Sequence, residues 1–114
     1  MPSDNQDRSP DPQGPLLSEF AGDADMAELI DYFISELQER VDSLAEAWRE
    51  HDVRRLRTLA HQLKGAAGGY GFPIITERAA ELESALQCDG MEPESLCAKL
   101  ESLLNVCRRA TQGQ

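Results

Sequence analysis

The sequence predicts an all-α protein, an antiparallel up-and-down four-helix bundle preceded by a short N-terminal helical segment. Three observations lead there. Aromatic residues number only six, one Trp, two Tyr and three Phe, and β-branched residues are scarce while Ala, Leu, Glu and Arg abound, a balance that favours helix over sheet. Apolar residues recur at steps of three and four in four separate stretches, the mark of helices with one buried stripe. The breaks between these stretches are short, so successive helices must run antiparallel. No stretch alternates as a strand does. The 114 residues fit one domain.

Residues 1–15 hold four of the six prolines and few bulky apolar groups, so they are expected to form a flexible tail. Residues 15–20, PLLSEF, bring Leu16, Leu17 and Phe20 and are expected to make a helical turn that lids the core. Asp23, or Asp25 with Glu28 three residues on, supplies a cap. From about residue 25 to residue 50 the stripe reads Met26, Leu29, Ile30, Phe33, Ile34, Leu37, Val41, Leu44 and Trp48. His51 and Asp52 mark a tight turn, with Asp52 capping the second helix. That helix turns Leu56, Leu59, Ala60, Leu63 and Ala67 inward and ends among Gly68, Gly69 and Gly71. Pro73 suits the first turn of the third helix, whose stripe is Ile75, Ala79, Leu82 and Leu86 and whose stop is Asp89–Gly90. The fourth helix begins near Pro93 and shows Leu96, Leu100, Leu103, Leu104 and Cys107. The folded domain is expected over residues 16–110, with a flexible C-terminus over 111–114.

The formal charge is −10, which argues against nucleic acid, whose phosphates need a basic surface, and against an anionic membrane. No apolar run approaches the roughly 20 residues of a spanning helix, and the first 15 residues lack the apolar centre of a secretory leader. The three cysteines, Cys88, Cys97 and Cys107, have no metal-type spacing and read as reduced packing groups of a cytoplasmic protein. No metal and no other cofactor is expected. The start at Met1 points towards a free-standing chain, and a monomer is expected.

Against that acidic background one face stands out. On a helical wheel at about 100° per residue, Leu59, Ala60, Leu63 and Ala67 fall within roughly 60° of Leu56, whereas His61 falls at roughly 140°. The imidazole therefore faces water, beside Arg54, Arg57, Thr58, Lys64, Gly65 and Gly68. An exposed imidazole is a nucleophile at neutral pH. Lys64, three residues on, is within reach of a phosphoryl group on its distal nitrogen. Gly65 costs the helix roughly 1 kcal/mol relative to Ala, and it leaves the surface bare where a second protein would approach. Arg54, Arg57, Thr58 and Gly68 are candidate partner contacts, the two arginines raising the local potential for an acidic partner. Taken singly, each feature also has a bland reading as solvated surface or helix terminator.

Together the residues resemble a family. HQLKGAAGGYG, residues 61–71, is similar to the signature of histidine-containing phosphotransfer (HPt) domains: His61, Leu63, Lys64, Gly65, the small pair Ala66 and Ala67, then Gly71. The helix count and order fit over about residues 16–109. The resemblance implies a four-helix bundle that takes a phosphoryl group on its histidine from a receiver-domain aspartate and passes it to another, or exchanges with a hybrid histidine kinase. It implies no ATP site and no autokinase activity. By the match His61 is phosphorylated, Lys64 stabilises the phosphoryl group and Gly65 gives access. Two positions depart from the pattern, Gly69 standing where many members carry a polar residue and Tyr70 where an aliphatic one is usual. The alternative is a helical interaction module that binds a receiver or kinase domain without carrying phosphate. His51, in the turn, has no such setting and is assigned no role.

Overall fold

Each apolar stripe becomes one helix. In the computed structural model, which describes residues 15–88 and 92–113, α1 spans Ala27–Arg49, α2 Val53–Ala67, α3 Pro73–Gln87 and α4 Pro93–Gly113. There is no strand among the described residues. Each helix packs on its neighbour in sequence, and α4 closes the ring against α1. None is long and apolar enough to cross a membrane. The stripes interdigitate in one core in which Phe33, Leu37, Leu44, Leu56, Leu63, Ile75, Leu82, Leu103 and Cys107 are almost fully buried. Burial of each large side chain contributes about 1.5–3 kcal/mol.

The periphery departs from the simple wheel. Leu29, expected in the α1 stripe, is 48% exposed, and Met26, Trp48 and Leu59 are only half-buried. These four sit at the margins of their stripes, where the neighbouring helix no longer covers them. Tyr70, where the family pattern has an aliphatic residue, packs inward and stacks on Phe33 with ring centroids 4.8 Å apart. Of the three cysteines only Cys107 packs in the core; Cys97 is half-buried and Cys88 exposed.

Both ends of α2 are fixed by backbone chemistry. Asp52 is its N-cap and accepts from the Arg55 amide at 3.1 Å. The preceding helix closes in a Schellman pattern, with Asp52 N–H on the Ala47 carbonyl and His51 N–H on the Trp48 carbonyl. His51 sits at the left-handed position, φ 57°. The far end of α2 tightens into a 3-10 turn, Gly68–Tyr70, and closes the same way on Gly71, φ 87°. Phe72 N–H bonds the Ala67 carbonyl there.

Residues 15–20 do lie over that end, but not as the expected helical turn. Residues 15–18 form a strap without helical structure, followed by turns and a short 3-10 segment, Ala24–Met26, capped by Asp23. The strap's amides bond across the bundle rather than along themselves: Leu16 N–H to the Arg109 carbonyl and Glu19 N–H to the Gly71 carbonyl. The buried Ser18 hydroxyl donates to the Tyr70 carbonyl at 2.7 Å. Carbonyls left free at a helix end need such donors, and a helical turn at 15–20 would have turned its own amides inward. Of the three apolar residues only Leu16 packs on the core; Leu17 and Phe20 are exposed. A Cβ on Gly71 would collide with Ser18 Oγ and come within 2.9 Å of the Glu19 amide, so this glycine serves both the turn and the strap.

α4 runs to Gly113, past the end expected at residue 110. The tail expected over residues 1–15 falls, apart from Pro15, outside the described residues, as does the Asp89–Gly90 stop. α3 ends at Gln87 with Cys88 as its C-cap.

Candidate functional site

The α2 wheel places His61 outward, and the ring is 67% exposed. What holds it comes from α3. His61 Nδ1 lies 2.9 Å from Glu83 Oε2, and Lys64 Nζ lies 2.6 Å from Glu83 Oε1. One carboxylate thus grips both residues, an oxygen to each. The Lys64 hydrogen bond first, then that of His61, holds the Glu83 carboxyl below its ordinary value of 4.5 against the opposing effect of burial. Glu83 is therefore ionised at neutral pH, and a carboxylate only accepts. In the neutral ring the proton therefore sits on Nδ1, facing that carboxylate, which leaves the Nε2 lone pair free and directed away from Glu83.

Antiparallel packing of α2 on α3 creates this pairing. His61 lies ten residues before Gly71 and Glu83 twelve after it, so the two meet across the hairpin. Thr76 adds a second tie by donating to the Lys64 carbonyl at 3.0 Å. No motif in the sequence includes Glu83, which stands on a different helix from His61 and Lys64. Its near-equal spacing from the turn was the available signal.

His61, Arg54, Arg57 and Thr58 line one open cleft of about 270 Å³ with Gln62, Glu83 and Gln87. Gly65 lies one turn beyond His61, and a Cβ there would meet nothing within 4 Å. Packing therefore does not require glycine at position 65. Gly68 lies further still, in the 3-10 turn, where a Cβ would touch Thr76 Oγ1 at 3.4 Å. It belongs to the same bare surface but not to the cleft. On the other flank, Arg40 of α1 makes a long 3.5 Å contact to Gln62. His51 lies at the opposite end of α2, away from all of these. Among the described residues no cluster of three or more His, Cys, Asp or Glu side chains is placed to hold a metal ion.

An outward imidazole, oriented by a carboxylate and followed by a lysine and bare backbone, is equipped to carry a small anionic group between proteins. Comparison with known proteins gives the class. The Hpt domain family model matches residues 28–110, and the chain belongs to that family. It is a phosphorelay phosphocarrier, a phosphotransfer intermediate rather than a kinase, whose partner classes are receiver domains and histidine kinases. Among individual proteins, the phosphorelay protein LuxU of Vibrio harveyi is 28% identical over 99 residues, covering 82% of this chain and 83% of LuxU. No solved structure matches the chain at a significant level.

Proposed function

We propose that His61 is the residue that carries the phosphoryl group, taking it from one receiver-domain aspartate and delivering it to another. The observation that carries this reading is the ring itself, exposed and held through Nδ1 by Glu83. In the forward step the Nε2 lone pair attacks phosphorus. The Nε2–P bond forms as the P–O bond of the aspartyl phosphate breaks, and the aspartate leaves as a carboxylate. The Nδ1 proton stays in place throughout, and Glu83 faces the positive charge that the ring gains. Return to an aspartate runs backwards through the same atoms, so neither direction waits for a proton.

Lys64 keeps one ammonium proton on Glu83 and has two more for phosphoryl oxygens. Gly65 leaves the receiver room for the in-line approach on which positioning depends. Arg54, Arg57, Thr58 and Gly68 belong to the docking surface, and the two arginines draw an acidic partner towards an otherwise acidic chain. The functional unit on this reading is residues 16–110, acting as a monomer in the cytoplasm, without an ATP site, away from nucleic acid and membrane. The net charge of −10 supports the last two.

The test is to mix the protein with receiver domains bearing radiolabelled aspartyl phosphate. Acid-labile, alkali-stable label on the wild type and none on a His61→Gln variant is the expected result. Label that persists on the variant would put the phosphoryl group on another residue and overturn the assignment to His61, and a wild type that binds receivers but takes no label from any would leave only a non-carrying interaction module.

A further inference from the structure

A phosphoryl group on Nε2 would lie over a definite part of the helix. Side chains on an α-helix lean towards its N-terminus, so each covers the turn before its own Cα. For His61 that turn holds Arg57 and Thr58, with Arg54 behind them, and these are the residues that line the cleft with the ring. Lys64 is not among them. It approaches from the other side and is tied to Glu83.

The two arginines have no other occupation. Arg55, between them in sequence, pairs with Glu46 and Glu50. The side chains of Arg54 and Arg57 make no ion pair or hydrogen bond among the described residues. They are neighbours three residues apart on the surface, where like charges repel. Arg54 also stands in the first turn of α2, where the helix dipole disfavours cations. Two unpaired cations kept together, in a chain of net charge −10, call for an anion between or above them. Among the described residues the one negative side chain lining the cleft is Glu83, whose two oxygens already serve His61 and Lys64.

We propose that Arg57, backed by Arg54, is a second phosphoryl-contacting residue, receiving oxygens of the group on His61 from the side opposite Lys64. This deepens the carrier reading and rests on it for biological meaning, but not for its test. Guanidinium offers paired donors suited to phosphate oxygens. The chain's motif would then contribute one cation, Lys64, and the preceding turn another.

The small donor phosphoramidate tests this without any partner protein. Nε2 attacks its phosphorus, the P–N bond breaks, ammonia leaves, and Nδ1 keeps its proton. Arg57→Ala should slow this labelling by about tenfold, as expected for loss of a charged hydrogen bond. It should also shift the phosphorus-31 resonance of the phosphohistidine, while thermal unfolding stays unchanged. Arg57→Lys should recover part of the rate. The deficit should survive at high ionic strength, where long-range attraction is screened. Wild-type rate and resonance in Arg57→Ala would overturn the proposal. So would a deficit that salt erases, which reduces Arg57 to steering, or a wild type that phosphoramidate does not label. A chain that labels normally yet exchanges with no receiver would instead defeat the carrier reading and leave this contact standing.

Discussion

On the carrier reading proposed for His61, Glu83 sets which ring nitrogen is left to act as the nucleophile, because it holds Nδ1. Replacing it with Gln keeps the size but removes the charge and the strict acceptor, so the Nδ1 proton is no longer enforced. Glu83→Gln should slow transfer from a receiver about 10- to 100-fold, the cost usual for removing a partner that orients an imidazole, as single-turnover kinetics would measure. It also has a pH signature. A carboxyl held below 4.5 in the folded state stabilises the fold above that pH, and the contribution fades as pH falls through the lowered value. The stability gap between wild type and Glu83→Gln, read by urea denaturation, should therefore hold from neutral pH down to the ordinary value of 4.5 and shrink as pH falls below it. Gly65 makes the opposite kind of case. Its side-chain position is empty, so Gly65→Ala should stabilise the protein by about 1 kcal/mol and Gly65→Leu should leave it folded yet slow transfer sharply. Normal transfer in the leucine variant would refute the steric account. The placement of His61, Lys64 and Gly65 on one outward face could be read from sequence because their relation is set by one helix. Glu83 is harder to see, because 22 residues separate it from His61 and its only trace in the sequence is a near-equal distance from the turn, which acquires meaning only with the packing register of two helices.

The helices were readable from their stripes, since a period of three to four residues is a local property. Their joints were readable only in part. Asp52 could be recognised as a cap, but nothing in the stripe foretold that His51 would take a left-handed conformation to close α1. Few L-residues adopt it without cost, so His51→Gly should raise stability by about 0.5–1 kcal/mol in thermal or chemical denaturation. Gly71→Ala meets both the positive φ and the strap and should cost about 2 kcal/mol or more. The strap itself was misjudged as helical because its partners, the carbonyls of Gly71 and Arg109, lie far along the chain. Apolar composition showed that residues 15–20 would cover the core; it could not show in what conformation.

Across the whole molecule, a closed ring of four helices holds α2 against α3, and that contact keeps the Glu83 carboxylate where His61 and Lys64 both reach it. The core needs no help from the polar site, which is why variants at positions 57, 61, 65 and 83 are expected to change transfer far more than folding. The chain carries a net charge of −10, and the cleft lined by Arg54 and Arg57 is a local exception to it, which is the ground for proposing it as the meeting place with an acidic partner. The central claim is that the exposed Nε2 of His61, with Nδ1 committed to Glu83, is the atom that takes phosphorus. Nitrogen-15 and phosphorus-31 NMR of the protein phosphorylated by a receiver domain would test it most directly. Phosphorus bonded to Nε2 of His61 is the predicted result; phosphorus on Nδ1, or on any other residue, would contradict the account.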